Sequence, residues 1–149
     1  MDLLAAIGLA TNILTFVDFS WKLLAGAREL YQSSSGQTVE DAFIARNISE
    51  LQRVVEDLDT DGTGDSVHEK VLQELASRCA SLSSELVNLL DDLRKKGHSK
   101  WGAVKGQLKR MRKKDEITNL QRRIDEYRSQ ILVRLALMMR SVPLWRRVR

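Results

Sequence analysis

The densest set of side chains able to bind a metal is an acidic repeat in the middle of the chain. Asp57, Asp59 and Asp61 occupy alternate positions before Gly62, as the first ligands of a calcium-binding EF-hand loop do. The second half of such a loop is missing, because the twelfth position, which requires a bidentate glutamate, is His68. The aspartates are therefore a weak calcium candidate, and a solvated connector between helices is the favoured interpretation.

Side chains suited to catalysis are sparse. His68 and His98 are the two histidines, and neither has a serine or cysteine partner at a recognisable motif spacing. Neither glycine-rich phosphate-binding pattern, G-x-x-x-x-G-K-[ST] or G-x-G-x-x-G, occurs. Cys79 is the single cysteine, which excludes an internal disulfide and fits a reducing compartment and a place in the core. The sequence predicts a protein that is not an enzyme and binds no cofactor.

Charge is divided unevenly along the chain. Residues 1–93 hold 6 Lys/Arg against 16 Asp/Glu, a net charge of −10, whereas residues 94–149 hold 18 against 4, a net charge of +14. Such a basic segment attracts phosphate and also the acidic remainder of its own chain. We expect contact with anionic lipid or an acidic partner at Lys95, Lys96, Lys100, Lys105, Lys109, Arg110, Arg112, Lys113 and Lys114.

Nucleic acid is a less suitable partner for this basic segment. The run from Lys105 to Lys114 precedes an apolar stripe that starts at Ile117, which superficially resembles a basic region entering a zipper. The zipper would be only about three heptads long, and further arginines extend the positive charge along it. This pattern favours an extended cationic face over a segment that reads a DNA groove.

The first stretch of the chain is the element that must position any functional surface. From Leu3 to Val17 it has no charged residue, although 30% of the whole chain is charged. Its apolar side chains cover nearly the whole circumference of a helix, and such a helix is buried in protein or in lipid. The residues expected to insert into a membrane are Leu3, Leu4, Ile7, Leu9, Ile13, Leu14, Phe16 and Val17.

Length and flanking residues argue against two simpler interpretations of this stretch. Fifteen uncharged residues are fewer than the roughly 20 that a fixed transmembrane helix needs, and Thr11 and Asn12 lie near the centre. A signal peptide would have a basic flank and a small-residue cleavage site, and neither is present. The pattern instead continues through Tyr31. We therefore expect either a core helix or a helix that is core in one state and inserted in a membrane in another.

Helical periodicity continues through the rest of the chain. It predicts helices at roughly 2–31, 39–58, 67–96, 100–113 and 115–140, with a bend or break near Lys113–Glu116 where the apolar register slips. A capping box formed by Ser66 and Glu69 is expected to begin the third helix. No segment alternates as a strand does. The predicted fold is an all-α antiparallel bundle of four to five long helices in a single domain.

Three segments together resemble the HeLo-like N-terminal domain of fungal STAND (NLR-type) receptors. Residues 2–24 are similar to the opening helix of that family, and residues 99–109 to its Lys-Trp segment with a short basic helix. Residues 113–124 are similar to its Lys-x-Glu-Ile-x-x-Leu segment. The resemblance covers most of the chain.

This resemblance implies an output domain placed ahead of a NACHT-type nucleotide-binding module in the same full-length protein. Related bundles self-associate and damage membranes with their N-terminal region, so Leu3–Val17 would be the inserting helix. The hypothesis is a cytoplasmic cell-death or immune-signalling domain that moves to the plasma membrane on activation. The alternative is an adaptor bundle that binds protein partners and never inserts.

Overall fold

Four long helices form the fold. The computed structural model describes residues 3–33, 41–59, 66–95 and 103–140. The helices are α1 (Leu3–Ser33), α2 (Asp41–Glu56), α3 (Val67–Lys95) and α4 (Ala103–Arg140). The described residues include no strand. The expected all-α helical bundle is therefore confirmed.

Contacts between neighbouring helices show that the bundle is antiparallel. Asn12 near the start of α1 bonds to Asp57 at the end of α2, and Gly26 later in α1 approaches Phe43 early in α2. Partners on α3 and α4 likewise run in opposite directions. These pairs are Asp92 with Lys113, Glu85 with Arg123 and His68 with Arg134. The N-terminal ends of α1 and α3 thus share one end of the bundle with the C-terminal ends of α2 and α4.

Helices α1 and α3 have the central positions. Each contacts the other three helices, whereas α2 and α4 do not contact each other in the described part of the chain. Large side chains of α1, including Ile13, Phe16 and Leu24, are almost completely buried in a core to which all four helices contribute. The bundle therefore depends on α1 for its integrity.

The apolar residues that recur every three or four positions on α3 and α4 are buried, as their helical spacing predicted. On α3, Leu75, Cys79, Leu82, Leu86 and Leu89 all lie in the core. On α4 the residues at matching spacing are buried too, and they are Ile117, Leu120, Ile124, Tyr127, Ile131 and Met138. Side chains spaced three and four apart share one helix face, which explains why periodicity identified them.

The start of α3 has the predicted cap. The hydroxyl oxygen of Ser66 accepts a hydrogen bond from the backbone N–H of Glu69 at 3.1 Å. This contact satisfies one of the N–H groups that a helix N-terminus leaves without an intrahelical partner. Thr38 and Ser99, whose residue types also suit helix caps, lie outside the described residues.

One local expectation was wrong. The two predicted helices 100–113 and 115–140 are a single α4, which continues without a break through Lys113–Glu116. Lys113 Nζ lies 2.9 Å from Glu116 Oε2 on the next turn and 2.8 Å from Asp92 Oδ2 on α3. These ion pairs connect two adjacent turns of α4 and connect α4 to α3, which stabilises the helix where the apolar register changes.

Candidate membrane-interaction site

The eight residues expected to insert into a membrane divide into three groups in the bundle. Half of them are core residues, with at most 5% of each side chain exposed, and these are Leu9, Ile13, Phe16 and Val17. Ile7 and Leu14 are half-buried against this core. Leu3 is 37% exposed and Leu4 is 79% exposed. Among these eight residues, only Leu3 and Leu4 in the first turn of α1 are therefore accessible for lipid contact before any rearrangement.

Between Ala5 and Val17, the solvent-facing side of α1 is made of small uncharged residues. Gly8, Thr11 and Thr15 are exposed, and a Cβ atom added at Gly8 would meet no neighbouring atom. Thr11 donates to the carbonyl of Ile7 at 2.9 Å, and Thr15 donates to that of Thr11 at 3.0 Å. This explains how a helix without a polar face lies in a bundle: large residues face the core and small residues face water.

Helix α1 is also long and apolar enough to cross a membrane. The segment Leu3–Glu29 has a mean hydropathy of 1.7, and 39% of its most apolar window is buried in the bundle. This segment is longer than the charge-free stretch Leu3–Val17, because it includes Asp18 and Lys22 within the helix that was predicted to continue through Tyr31. Core helices of soluble proteins pass the same test, so composition alone does not distinguish the two environments.

Two polar side chains modify the packing of α1. Asn12 Nδ2 donates a hydrogen bond of 3.1 Å to the backbone carbonyl of Asp57, which attaches α1 to the end of α2. Ser20 is fully buried, and its hydroxyl has no hydrogen-bond partner among the described residues. A buried hydroxyl without a partner costs about 1–3 kcal/mol. The core state of α1 is therefore anchored at Asn12 and weakened at Ser20.

The predicted cationic residues are only partly within the described structure. Lys96 and Lys100 lie outside it, and the side chains of Lys95, Lys105, Lys109 and Arg110 are not described. Arg112 and Lys114 are exposed. Only 16% of the Lys113 side chain is exposed, because it lies between Asp92 and Glu116. Burial lowers the pKa of Lys113, the hydrogen bonds to those carboxylates raise it, and the net shift is upward.

Arg112, Lys113 and Lys114 lie far from the exposed start of α1. Asp18 Oδ1 and Arg128 Nη1 are 4.0 Å apart, which places those residues level with each other in the bundle. Leu4 lies on one side of that level and Lys113 on the other. At a rise of 1.5 Å per residue the separation between them is roughly 40 Å. Leu4 and Lys113 therefore mark opposite ends of the bundle.

The acidic part of the chain does attract the basic part, as the charge division predicted. Arg123 Nη2 lies 2.8 Å from Glu85 Oε2 across the α3–α4 interface. The hydrogen bond that Arg123 donates to Glu85 raises the pKa of Arg123 above its ordinary value. With the bridge from Lys113 to Asp92, this pair shows that part of the positive charge of α4 is used within the chain.

Sequence reasoning missed a set of exposed apolar residues at the end of α4. Leu132, Val133, Leu137 and Met139 are between 40% and 60% exposed. The apolar spacing drew attention to their buried neighbours Ile131 and Met138. The sequence did contain a signal for them. After Gln130, apolar residues occupy both faces of α4, whereas a helix with one buried face needs them on that face only.

The remaining candidates for chemistry do not converge on one site. Asp57 and Asp59 are exposed, Asp61 lies outside the described residues, and the described part of the chain has no group of three possible metal ligands. Burial raises the pKa of the Cys79 thiol to about 12, as expected for a core thiol. An open depression of about 360 Å³ between α3 and α4 is lined mainly by serine, arginine and tyrosine side chains.

Comparison with known proteins adds no relative. No protein-family model matches the chain, and no curated protein or solved structure was found to be similar to it.

Proposed function

We propose that this chain is a non-enzymatic cell-death or immune-signalling domain of the HeLo-like type, which oligomerises and acts on membranes through α1. The observation that carries the proposal is that the most apolar helix, long enough to cross a bilayer, is a core helix that contacts all three other helices of the bundle. The same helix fits two environments, and a change of environment is the proposed activation step. In a longer receptor the domain would respond to a NACHT-type module.

Burial of α1 sets an energetic condition on this mechanism. Each fully buried large apolar side chain contributes about 1.5–3 kcal/mol, so six of them contribute roughly 10 kcal/mol or more. That is comparable to the whole stability of a typical domain, about 5–15 kcal/mol. The six are Leu9, Ile13, Phe16, Val17, Leu23 and Leu24. Release of α1 therefore requires lipid to cover the helix and another copy of the chain to cover the core that it leaves, which couples insertion to oligomerisation.

Thr15→Glu tests this function without disturbing the bundle. Thr15 is exposed, so a carboxylate there is solvated in the bundle. In an inserted helix a central charge costs about 2.5–3.5 kcal/mol on insertion scales. We expect the variant to remain folded and to lose dye release from vesicles containing anionic lipid. Ser49→Glu, an equally exposed change on α2, is the matched control and should leave dye release unchanged.

Ile7→Glu and Leu14→Glu should also abolish dye release and toxicity to cells. Both side chains are half-buried against the core, so the folding of each variant must be shown by circular dichroism. Dye release at the wild-type rate by folded Thr15→Glu would overturn the proposal.

The second candidate function is an adaptor bundle that binds protein partners while α1 stays in the core. The observation that favours it is the pairing of Lys113 with two carboxylates, because it shows that this basic end accepts acidic partners. An adaptor would neither release dye nor respond to Thr15→Glu. The dye-release experiment therefore separates the two functions.

A further inference from the structure

The outward face of α4 changes character near its C-terminal end. Between Lys114 and Gln130 its exposed residues are charged or polar. Beyond Gln130 the exposed residues are mainly apolar, and Val133 is 60% exposed. We call this surface the tip patch, and its members are Leu132, Val133, Leu137 and Met139. Single exposed apolar side chains are ordinary on protein surfaces, but four within eight residues of one helix are typical of an interaction surface.

The tip patch lies at the end of the bundle where α1 begins. Because the helices are antiparallel, the C-terminal end of α4 is beside the N-terminal end of α1. Leu3 and Leu4 are exposed there, and so is Val67 at the start of α3, with 71% of its side chain accessible. The exposed apolar surface of α4 therefore lies at the same end of the bundle as the first turn of the helix proposed to insert.

The same part of the chain is positively charged. No acidic residue follows Glu126, whereas the end of α4 contains Arg134, which contacts His68, and the exposed Arg140. The acidic residues Asp57 and Asp59 belong to the end of α2, which makes no contact with α4 in the described residues. The acidic and basic segments thus lie on diagonally opposite corners of this end.

We propose that the tip patch is a docking surface for an anionic lipid membrane, which places the bundle on the bilayer with the start of α1 facing it. The inference rests on the proposed function at a membrane and adds where the first contact occurs. Apolar side chains enter the boundary between headgroups and acyl chains, and arginines bind the anionic headgroups. This orientation directs Arg112, Lys113 and Lys114 away from the membrane, where the exposed Arg112 and Lys114 are available to acidic protein surfaces.

The test compares two double variants of the whole chain. Leu132→Glu with Val133→Glu places two charges in the tip patch. Ser129→Glu with Gln130→Glu adds the same charge less than one turn earlier on the same exposed face. Binding is measured by sedimentation with phosphatidylcholine vesicles that contain or lack phosphatidylserine. We expect the patch variant to bind the anionic vesicles about tenfold more weakly than the control pair, which corresponds to about 1.4 kcal/mol.

A site-specific probe gives a second readout that is independent of dye release. An environment-sensitive fluorophore on Val133→Cys should brighten on anionic vesicles, and one on Ser129→Cys should brighten much less. The buried Cys79 thiol should compete poorly for the label.

Equal binding by both double variants, or equal brightening at both positions, would overturn the lipid assignment. A patch variant that binds normally but changes the oligomeric state without lipid would identify the patch as an interface between copies. If Thr15→Glu binds anionic vesicles normally but releases no dye, that result supports docking by the tip patch as a step separate from insertion. If the docking proposal alone is overturned, the insertion of α1 is still tested by its own variants.

Discussion

Asn12 is the residue at which the two proposed environments of α1 conflict most clearly. In the bundle its side chain donates a hydrogen bond to the carbonyl of Asp57 on α2. In a lipid environment the same amide would lose that partner, and a buried polar group without a partner is costly. Asn12 therefore favours the core state and opposes insertion.

Asn12→Leu is expected to shift this balance toward the membrane. Loss of the hydrogen bond should lower the free energy of unfolding by about 1 kcal/mol. Removal of the amide should also raise the rate of dye release from anionic vesicles several-fold. Urea unfolding and dye release measure the two effects. Thr11→Val is the control, because the Thr11 hydroxyl donates its hydrogen bond to Ile7 within the same helix. An Asn12→Leu variant that is less stable but releases dye no faster would contradict the proposed role of Asn12 in opposing insertion.

Cys79 reports whether the core is closed. Burial raises the pKa of its thiol from about 9 to about 12. The folded state thus favours the protonated thiol, so this contribution to stability is complete below about pH 9 and is lost as the pH rises toward 12.

The raised pKa and burial predict slow labelling of Cys79 in the folded chain. At pH 8 the thiolate fraction should be about a thousandfold smaller than in the unfolded chain, and alkylation should slow by at least that factor. Mass spectrometry after timed alkylation measures the rate, with urea-unfolded protein as the reference. Rapid labelling of the folded chain in the absence of lipid would contradict a closed core.

At the scale of the elements, the interface between α3 and α4 is stabilised by Lys113. It is the least exposed of the cations with described ion pairs, and it contacts carboxylates on both helices. Because the pKa of Lys113 is raised, the stabilisation from its ion pairs is complete at pH values below the ordinary lysine pKa of 10.5. It is lost only as the pH rises beyond that value.

Lys113→Gln should therefore destabilise the bundle at neutral pH. We expect a loss of about 0.5–1 kcal/mol in the free energy of unfolding, since the carboxylate partners are well solvated. The exposed neighbour provides the control, and Lys114→Gln should change stability by much less. Equal urea midpoints for the two variants would show that the bridge does not stabilise the interface.

The helices also show how far the sequence could be interpreted. Periodicity identified the buried stripes of α3 and α4, because a one-sided helix hides residues spaced three and four apart. It failed at Lys113–Glu116, where the slip in register predicted a break that the helix does not have. It also could not assign the faces of α1, since apolar residues surround that helix and only the packing separates Phe16 from Leu4.

The tip patch was missed for a related reason. Leu132 and Val133 follow Ile131 in one apolar run, and a pattern search assigns such a run to the core. Their exposure depends on where α4 lies relative to α1 and α3, which is a property of the tertiary arrangement. The sequence also could not predict how the basic segment is used, because its partners within the chain, such as Asp92, are distant in sequence.

On the scale of the whole molecule, the structure assigns different properties to the two ends of the bundle. One end exposes Leu4 and the tip patch, and the other has the cations near Lys113. An anionic membrane suits the first end, and acidic protein surfaces suit the second. The central claim is that α1, which contacts all three other helices in the bundle, leaves the core when the first end meets lipid.

Tethering α1 to α4 tests that claim most directly. Asp18 and Arg128 form an ion pair across the two helices, so Asp18→Cys with Arg128→Cys can be joined by a short bis-maleimide that contains a cleavable disulfide. The same double variant carrying two single maleimide caps is the control. Dye release from anionic vesicles is measured before and after reduction. The account predicts that the tethered chain binds vesicles without releasing dye and that reduction restores release to the level of the capped control, whereas dye release by the tethered chain at the control rate would contradict it.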